Sequence, residues 1–291
     1  MLAAALRFCL LLEIGLYALT ASRVFDLSPG DAMVAALCVL LGVRGGIIAV
    51  TYMFAYIHHS RAPKIGWLQA IAMMLVEYFA FLRLFLVIQP FERLWMGADR
   101  LLPGRPVLLL VHGYGCNRGA WWWLRRPLEQ AGYVVATLNL EPVYTSIDDY
   151  VGLLDQRIEE VCRQAGCQRL TLIGHSMGGL VSRAYLAARG ESRVDRLLTI
   201  GTPHAGSVIA RLGMGANARQ MERGSPWLRS LWQYRPRIPM ISLRNTHDNF
   251  VMPQDGQRFP GAADIELPAL GHLAALFSRK TADALLGCLR R

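Results

Sequence analysis

The sequence is poor in charge: Asp, Glu, Lys and Arg make up 18% of its 291 residues, against 53% hydrophobic residues and a mean hydropathy of +0.28. That is too apolar for one ordinary soluble domain and directs attention to membrane spans. The net charge of +10 would suit nucleic acid, but there is no long basic run and no interleaving of basic and aromatic residues, and this scatter argues against nucleic acid as a partner. The scattered Arg residues suit a surface beside anionic lipid headgroups. The cysteines, Cys9, Cys38, Cys116, Cys162, Cys167 and Cys288, have no metal-ligand spacing and imply no disulfide framework. Cys162 and Cys167 lie close enough to pair in an oxidising compartment, but the spacing reads more simply as two free thiols near a helix end.

Charge is scarcest in the first ninety or so residues. Apolar stretches at residues 2 to about 20, 32 to about 56 and about 65 to 87 each approach the roughly 20 residues of a transmembrane helix. Residues 1–90 are therefore expected to form a membrane segment of three transmembrane helices. A cleaved signal peptide is the alternative for the first stretch, since Arg7 precedes an apolar run. However, Ala18-Leu19-Thr20 matches a small-x-small site poorly, and two more apolar stretches come after it. Glu13, Arg44, Glu77 and Arg83 fall at or near membrane depth. A central Arg or Asp costs about 2.5–3.5 kcal/mol on insertion scales, which several residues returning about 0.3–0.6 each can offset. Pairing of Arg44 with Glu13 or Glu77, with Arg83 reaching the interface, is expected over a polar relay. The basic loop at residues 58–64 favours a cytoplasmic position, so that a third span carries the C-terminal domain to the periplasmic side of a bacterial inner membrane. Arg93, Arg100 and Arg105 pull the other way.

From residue 105 short apolar runs alternate with helical segments, the pattern of βαβ units and a mostly parallel sheet. Runs at 106–111, 133–138, 169–173, 196–200, 238–243 and 264–267 read as strands. Helices are expected at 118–130, with Pro127 as a point of interruption, at 146–165 and at 180–188. The run at 169–173 leads into Gly174-His175-Ser176-Met177-Gly178-Gly179 and then a helix. Gly-x-Ser-x-Gly at a sharp strand-to-helix turn strains the serine backbone and exposes its hydroxyl, which makes Ser176 the candidate nucleophile. The helix N-terminus aimed at the same point favours negative charge.

A nucleophilic serine needs oxyanion donors, a base and an acid. His112-Gly113-Tyr114-Gly115, at the end of the first strand, offers the backbone N–H of Tyr114 beside that of Met177. His112 itself reads as a brace for this loop or as part of the pocket. The chain order serine, acid, histidine selects His272 as base, with His204 placed to shape the pocket wall. Asp248, on a polar loop after the strand at 238–243, is the preferred acid, with Asp255 and Asp264 as alternatives.

With these residues in place, residues 106 to 286 resemble the α/β-hydrolase superfamily, and in particular its bacterial lipase and esterase branch. The resemblance rests on His112-Gly113, the serine motif, Gly201-Thr202-Pro203-His204-Ala205-Gly206-Ser207, Asp248 with Val251 and Pro253, and Gly271-His272. It implies an α/β-hydrolase fold over residues 100–291, a mostly parallel sheet with helices on both faces. It also implies hydrolysis of carboxylic esters with acyl chains through an acyl-enzyme, without metal or organic cofactor. Thioester cleavage or acyl transfer by the same triad, and a non-catalytic membrane scaffold, are the competing expectations. Residues 205–237 read as an apolar lid or as a packed cap. Trp121-Trp122-Trp123 is expected to line the pocket, chiefly through Trp121, or to seat the domain on the interface, with one of the three in the core. The expected partners are ester or lipid substrates and membrane lipids; nothing in the sequence speaks to oligomeric state.

Overall fold

The structure is a computed structural model that describes residues 1–290. Six strands, β1 (Val107–Val111), β2 (Val134–Thr137), β3 (Leu170–His175), β4 (Val194–Ile200), β5 (Met240–Asn245) and β6 (Ala263–Leu267), form one sheet in the order β2-β1-β3-β4-β5-β6. Every pairing is parallel. A parallel sheet is covered on both faces, which is why β1 reads Val-Leu-Leu-Leu-Val with every residue buried. The period of two splits this strand between two cores. Leu109 and Val111 meet α6 (Asp149–Ala165) and α7 (Met177–Arg189) on one face. Leu108 and Leu110 meet α5 (Trp122–Gln130) and α10 (Arg279–Leu289) on the other.

Two boundaries differ from expectation. Pro127 sits inside α5 without breaking it; the irregularity comes earlier, as a 3-10 turn at Arg118–Trp121. Helix α6 starts at Asp149 rather than 146, because the Asp149 carboxylate accepts the Ser146 N–H (3.1 Å) and Gln220 takes that of Ile147 (2.7 Å). Such local bonds compete with the first helical turn. In residues 205–237, α8 (Gly215–Gln220) and α9 (Pro226–Gln233) form a packed cap that buries Leu228 and Leu231; of its large apolar side chains Leu212 and Met214 are strongly exposed.

At the N-terminus lie α1 (Leu2–Val24), α2 (Pro29–Ile57) and α3 (Trp67–Leu82), the last continuing to Ile88 as a wider helical turn. Three helices here are long and apolar enough to cross a membrane. Arg44 pairs with Glu13 through both guanidinium ends, and Tyr17 donates to the same carboxylate (2.7 Å), so the charge that α1 and α2 bury is neutralised between them. Glu77 is not its partner. Arg83 lies over the Phe277 ring of the sheet domain (5.5 Å) rather than extending to an interface.

This helical segment is bonded to the sheet domain throughout. The Met1 amino group meets Glu141 (2.9 Å), and Gln89 accepts the Asn117 N–H (2.7 Å), while within the segment Arg7 donates to the Pro90 carbonyl (2.6 Å). One stripe of α3, at helical spacing, is turned inward: Glu77, Ala80, Leu84 and Ile88 are buried, and Ala80 and Leu84 join the core of Leu108 and Leu110. Beyond the short helix α4 (Glu92–Trp95), Asp99 bonds Arg125 (2.8 Å), Arg157 (2.7 Å) and the Thr137 N–H (2.7 Å), which fixes the connecting stretch to β2.

Candidate active site

Ser176 is the single residue between β3 and α7, with φ 53° and ψ −125°. A non-glycine residue at positive φ is strained and is held only where its surroundings dictate it. Two glycines permit the turn by close approach. A Cβ at Gly178 would strike the Val111 carbonyl oxygen, and one at Gly113 would lie 2.9 Å from Ser176 Cβ. The N–H of Met177 opens α7, and that of Tyr114 lies in the loop after β1; among the described residues neither donates to a backbone acceptor. Both remain available to a developing oxyanion.

His272 and Asp248 meet as the chain order requires. His272 Nδ1 lies 2.8 Å from Asp248 Oδ2, and both side chains are buried. Asp248 Oδ1 accepts the N–H groups of Phe250 (2.7 Å) and Val251 (2.8 Å), while Gln257 donates to Oδ2 (3.2 Å), so the carboxylate is held on both oxygens. Burial alone would lower the His272 pKa, but the Asp248 charge and hydrogen bond, with help from Glu77, outweigh it and hold the imidazole above its ordinary value. With Nδ1 engaged, Nε2 is the nitrogen left to face Ser176. No hydrogen bond joins the two, although both line one cavity; catalytic contacts often close only with substrate. Asp255 and Asp264 are spent elsewhere, in ion pairs with Arg244 and Arg258.

That cavity has a volume of about 680 Å³, within the range of small-molecule sites. Its wall includes Tyr114, whose hydroxyl donates to the Met214 carbonyl (2.8 Å) and so ties the oxyanion loop to the cap. Apolar residues of the N-terminal helices complete it, among them Leu6 of α1, Ile47 and Val50 of α2, and Phe81 and Phe85.

The residues expected in the pocket wall lie behind it. His112 is buried, accepts the Leu140 N–H at Nε2 (2.9 Å) and faces the Gly113 carbonyl with Nδ1 (2.9 Å); burial pushes its pKa down to about 4, so it is a neutral brace. His204 is buried against Thr199 (3.2 Å) and Arg183 (3.4 Å), and desolvation, then the Arg183 charge, keeps it neutral. Trp121 is fully buried in the core, edge-on to His175. In each case a motif-adjacent side chain is turned into the core instead of the wall, which its nearness to the motif in sequence does not settle.

Other groups build the site: His175 from within the serine motif, and Glu77, Thr51 and Asn249 without any motif to announce them. His175 Nε2 lies 3.2 Å from the His272 carbonyl oxygen, and desolvation, then the His272 charge, keeps His175 neutral. Glu77 accepts the N–H groups of Leu273 (2.9 Å) and Ala274 (2.7 Å), directly after His272. Thr51 accepts from Asn249 (2.8 Å), which in turn accepts the His272 N–H (3.1 Å). The only signal in the sequence was a charge in an apolar helix, which marks a residue as constrained but not by what.

Comparison with known proteins agrees with the geometry. Residues 106–224 match the model of the family described as alpha/beta hydrolase fold. The chain is 36% identical over 124 residues to a triacylglycerol lipase of Burkholderia plantarii, covering 40% of this chain and 34% of that protein. It is also 36% identical over 122 residues to one of Pseudarthrobacter phenanthrenivorans, covering 39% and 38%. The chain thus spans little more than a third of the length of these relatives. Mature Bacillus licheniformis lipase BlEst2 superposes with a TM-score of 0.58 at 18% identity, over 67% of this chain and 96% of that one, a likeness of fold. Parallel sheet, serine turn and the match over residues 106–224 together define the class: the chain has the α/β-hydrolase fold.

Proposed function

We propose that this protein is a membrane-held serine hydrolase that cleaves carboxylic esters of acyl chains, a lipase-like esterase. The observation that carries the proposal is the convergence of Ser176, at its strained turn, and His272, bonded to Asp248, on one apolar cavity. The similarity to triacylglycerol lipases supports an acyl ester as substrate. So does the cavity wall, which takes Leu6, Ile47, Val50, Phe81 and Phe85 from helices apolar enough to sit in lipid.

In this mechanism Ser176 Oγ attacks the ester carbonyl carbon while His272 Nε2 takes its proton. The negative oxygen that forms is held by the N–H groups of Tyr114 and Met177, and Asp248 stabilises the imidazolium. Collapse expels the alcohol, which takes the proton back from His272 and leaves an acyl-serine. Water then attacks the acyl carbon as His272 takes its proton, and collapse breaks the bond to Ser176, returns that proton from His272 to Ser176 Oγ and releases the acid. The test is labelling of Ser176 by a fluorophosphonate together with hydrolysis of short- and long-chain esters. Ser176→Ala is expected to abolish labelling and to lower turnover by about a millionfold; undiminished hydrolysis would refute the assignment.

A further inference from the structure

Both ends of α3 bond to the same domain. Ahead of it, the Ser60 N–H donates to Gln254 (2.8 Å), the Asp255 N–H donates to Ser60 Oγ (2.9 Å), and His247 Nε2 lies 3.1 Å from the Pro63 carbonyl oxygen. Behind it, Gln89 accepts two bonds from Asn117 (2.7 and 3.0 Å), and midway Glu77 accepts the N–H groups of Leu273 and Ala274. All these partners lie in loops after the carboxyl ends of β5, β6 and β1. Helix α3 therefore runs across the carboxyl edge of the sheet, over the face that holds Ser176. A helix that crosses a hydrocarbon core about 30 Å thick has its two ends in different aqueous phases. One polar domain cannot bind both.

We propose that α3 lies in the surface plane of the membrane instead of crossing it, that α1 and α2 alone form a crossing hairpin, and that the sheet domain rests on the cytoplasmic face with its catalytic edge against lipid.

The two sides of α3 fit this position. Its inward stripe packs on the domain, while Trp67, Leu68, Ile71, Leu75, Val76 and Phe79 are exposed, with Trp67 at 72% and Phe79 at 59%. A helix lying in the interface buries such a face at the headgroup and acyl boundary, and Trp favours that depth. The lipid face is continuous with the apolar flanks of α1 and α2 and with the mouth of the cavity, where Ile47 (42% exposed) and Val50 (44%) belong to both surfaces. Helix α1 beyond Arg7 and α2 ahead of Gly46 each extend about 25 Å, enough to cross a slightly thinned core. Met1, at the start of α1, bonds Glu141 and so shares the domain's side.

Charge sets which side that is. In a chain with three crossings, Arg61 and Lys64 oppose Arg93, Arg100 and Arg105 across the membrane. With two crossings all five stand together, and the far turn keeps only Arg23, near Asp26 and Asp31. The bias of Lys and Arg toward the cytoplasm then points one way.

Cysteines introduced one at a time in the full chain, at Arg61→Cys, Ser192→Cys and Ser28→Cys, on a background in which Cys9, Cys38 and Cys167 are replaced by Ser and the remaining cysteines are buried, test the arrangement. Each is exposed. A membrane-impermeant maleimide is applied to sealed right-side-out and inside-out membrane vesicles. Arg61→Cys and Ser192→Cys are expected to label only in inside-out vesicles and Ser28→Cys only in right-side-out ones. Labelling of Arg61→Cys and Ser192→Cys from opposite faces would overturn the surface position of α3. Labelling of both only in right-side-out vesicles would overturn the cytoplasmic placement, and labelling of Ser28→Cys from the domain's face would overturn the crossing hairpin.

Discussion

The sheet domain and the N-terminal helices solve opposite problems. In the domain, apolar strands fill the interior and the carboxylates of Asp99 and Asp264 are matched to the buried Arg125 and Arg244. In the helices the apolar residues face outward, and the buried polar side chains Thr51 and Glu77 point at the domain. The contrast shows that the helices are more than an anchor. A carboxylate in an apolar helix is retained where it has work for its oxygens, and those of Glu77 hold the backbone that carries the proposed base. In the proposed reaction the sheet domain supplies the reacting groups, and the helices supply their support and the apolar wall.

Variants can break or sharpen that division. The largest effect after loss of Ser176 itself is expected from Asp248→Asn, with kcat/KM falling about 10⁴-fold. The reaction needs neutral His272, and Asp248 raises the imidazole pKa. Wild-type kcat/KM should therefore rise with pH through a midpoint above about 6.5, and that midpoint should move down in Asp248→Asn. A midpoint unmoved by the substitution would detach Asp248 from the base.

Next comes Glu77→Ala, which strips the acceptor from two buried N–H groups. Each orphaned donor costs about 1–3 kcal/mol, so denaturant unfolding should shift measurably and ester turnover should drop about ten- to a hundredfold. Glu77→Gln, which keeps one acceptor oxygen, should recover part of both. If Glu77→Ala left turnover and stability alone, the helices would be reduced to an anchor. A smaller and more selective change is expected of Phe85→Ala: the ratio of long-chain to short-chain kcat/KM should fall about tenfold, as for loss of apolar pocket surface. Equal losses on both chain lengths would remove Phe85 from the acyl wall. The smallest is Arg258→Ala, which breaks half-exposed ion pairs to Asp255 and Asp264 and should cost less than about 1 kcal/mol in chemical denaturation.

Much of the domain was legible without coordinates because its signals are local. Strand runs differ from observed strands by a residue or two, and the turn at Ser176 announces itself through glycines that only a close approach requires. The pairing of Asp248 with His272 was reachable because chain order and strand ends restrict the choice. The pocket wall was not legible. His112, His204 and Trp121 sit beside the right motifs yet face the core, while Ile47, Val50 and Phe85, far away in sequence, line the cavity.

The sequence by itself determined the alternation of strands and helices, the serine turn, the order of the candidate triad and the apolar character of the first three helices, all properties of neighbouring residues and their periodicity. Only the tertiary structure decided that Arg44 answers Glu13 and that Glu77, nearly two hundred residues from Leu273, closes on the base loop. It alone laid α3 across the catalytic edge. The physical reason is that burial and hydrogen bonding are settled where distant surfaces meet, and a local pattern of side chains carries no record of which surface that will be.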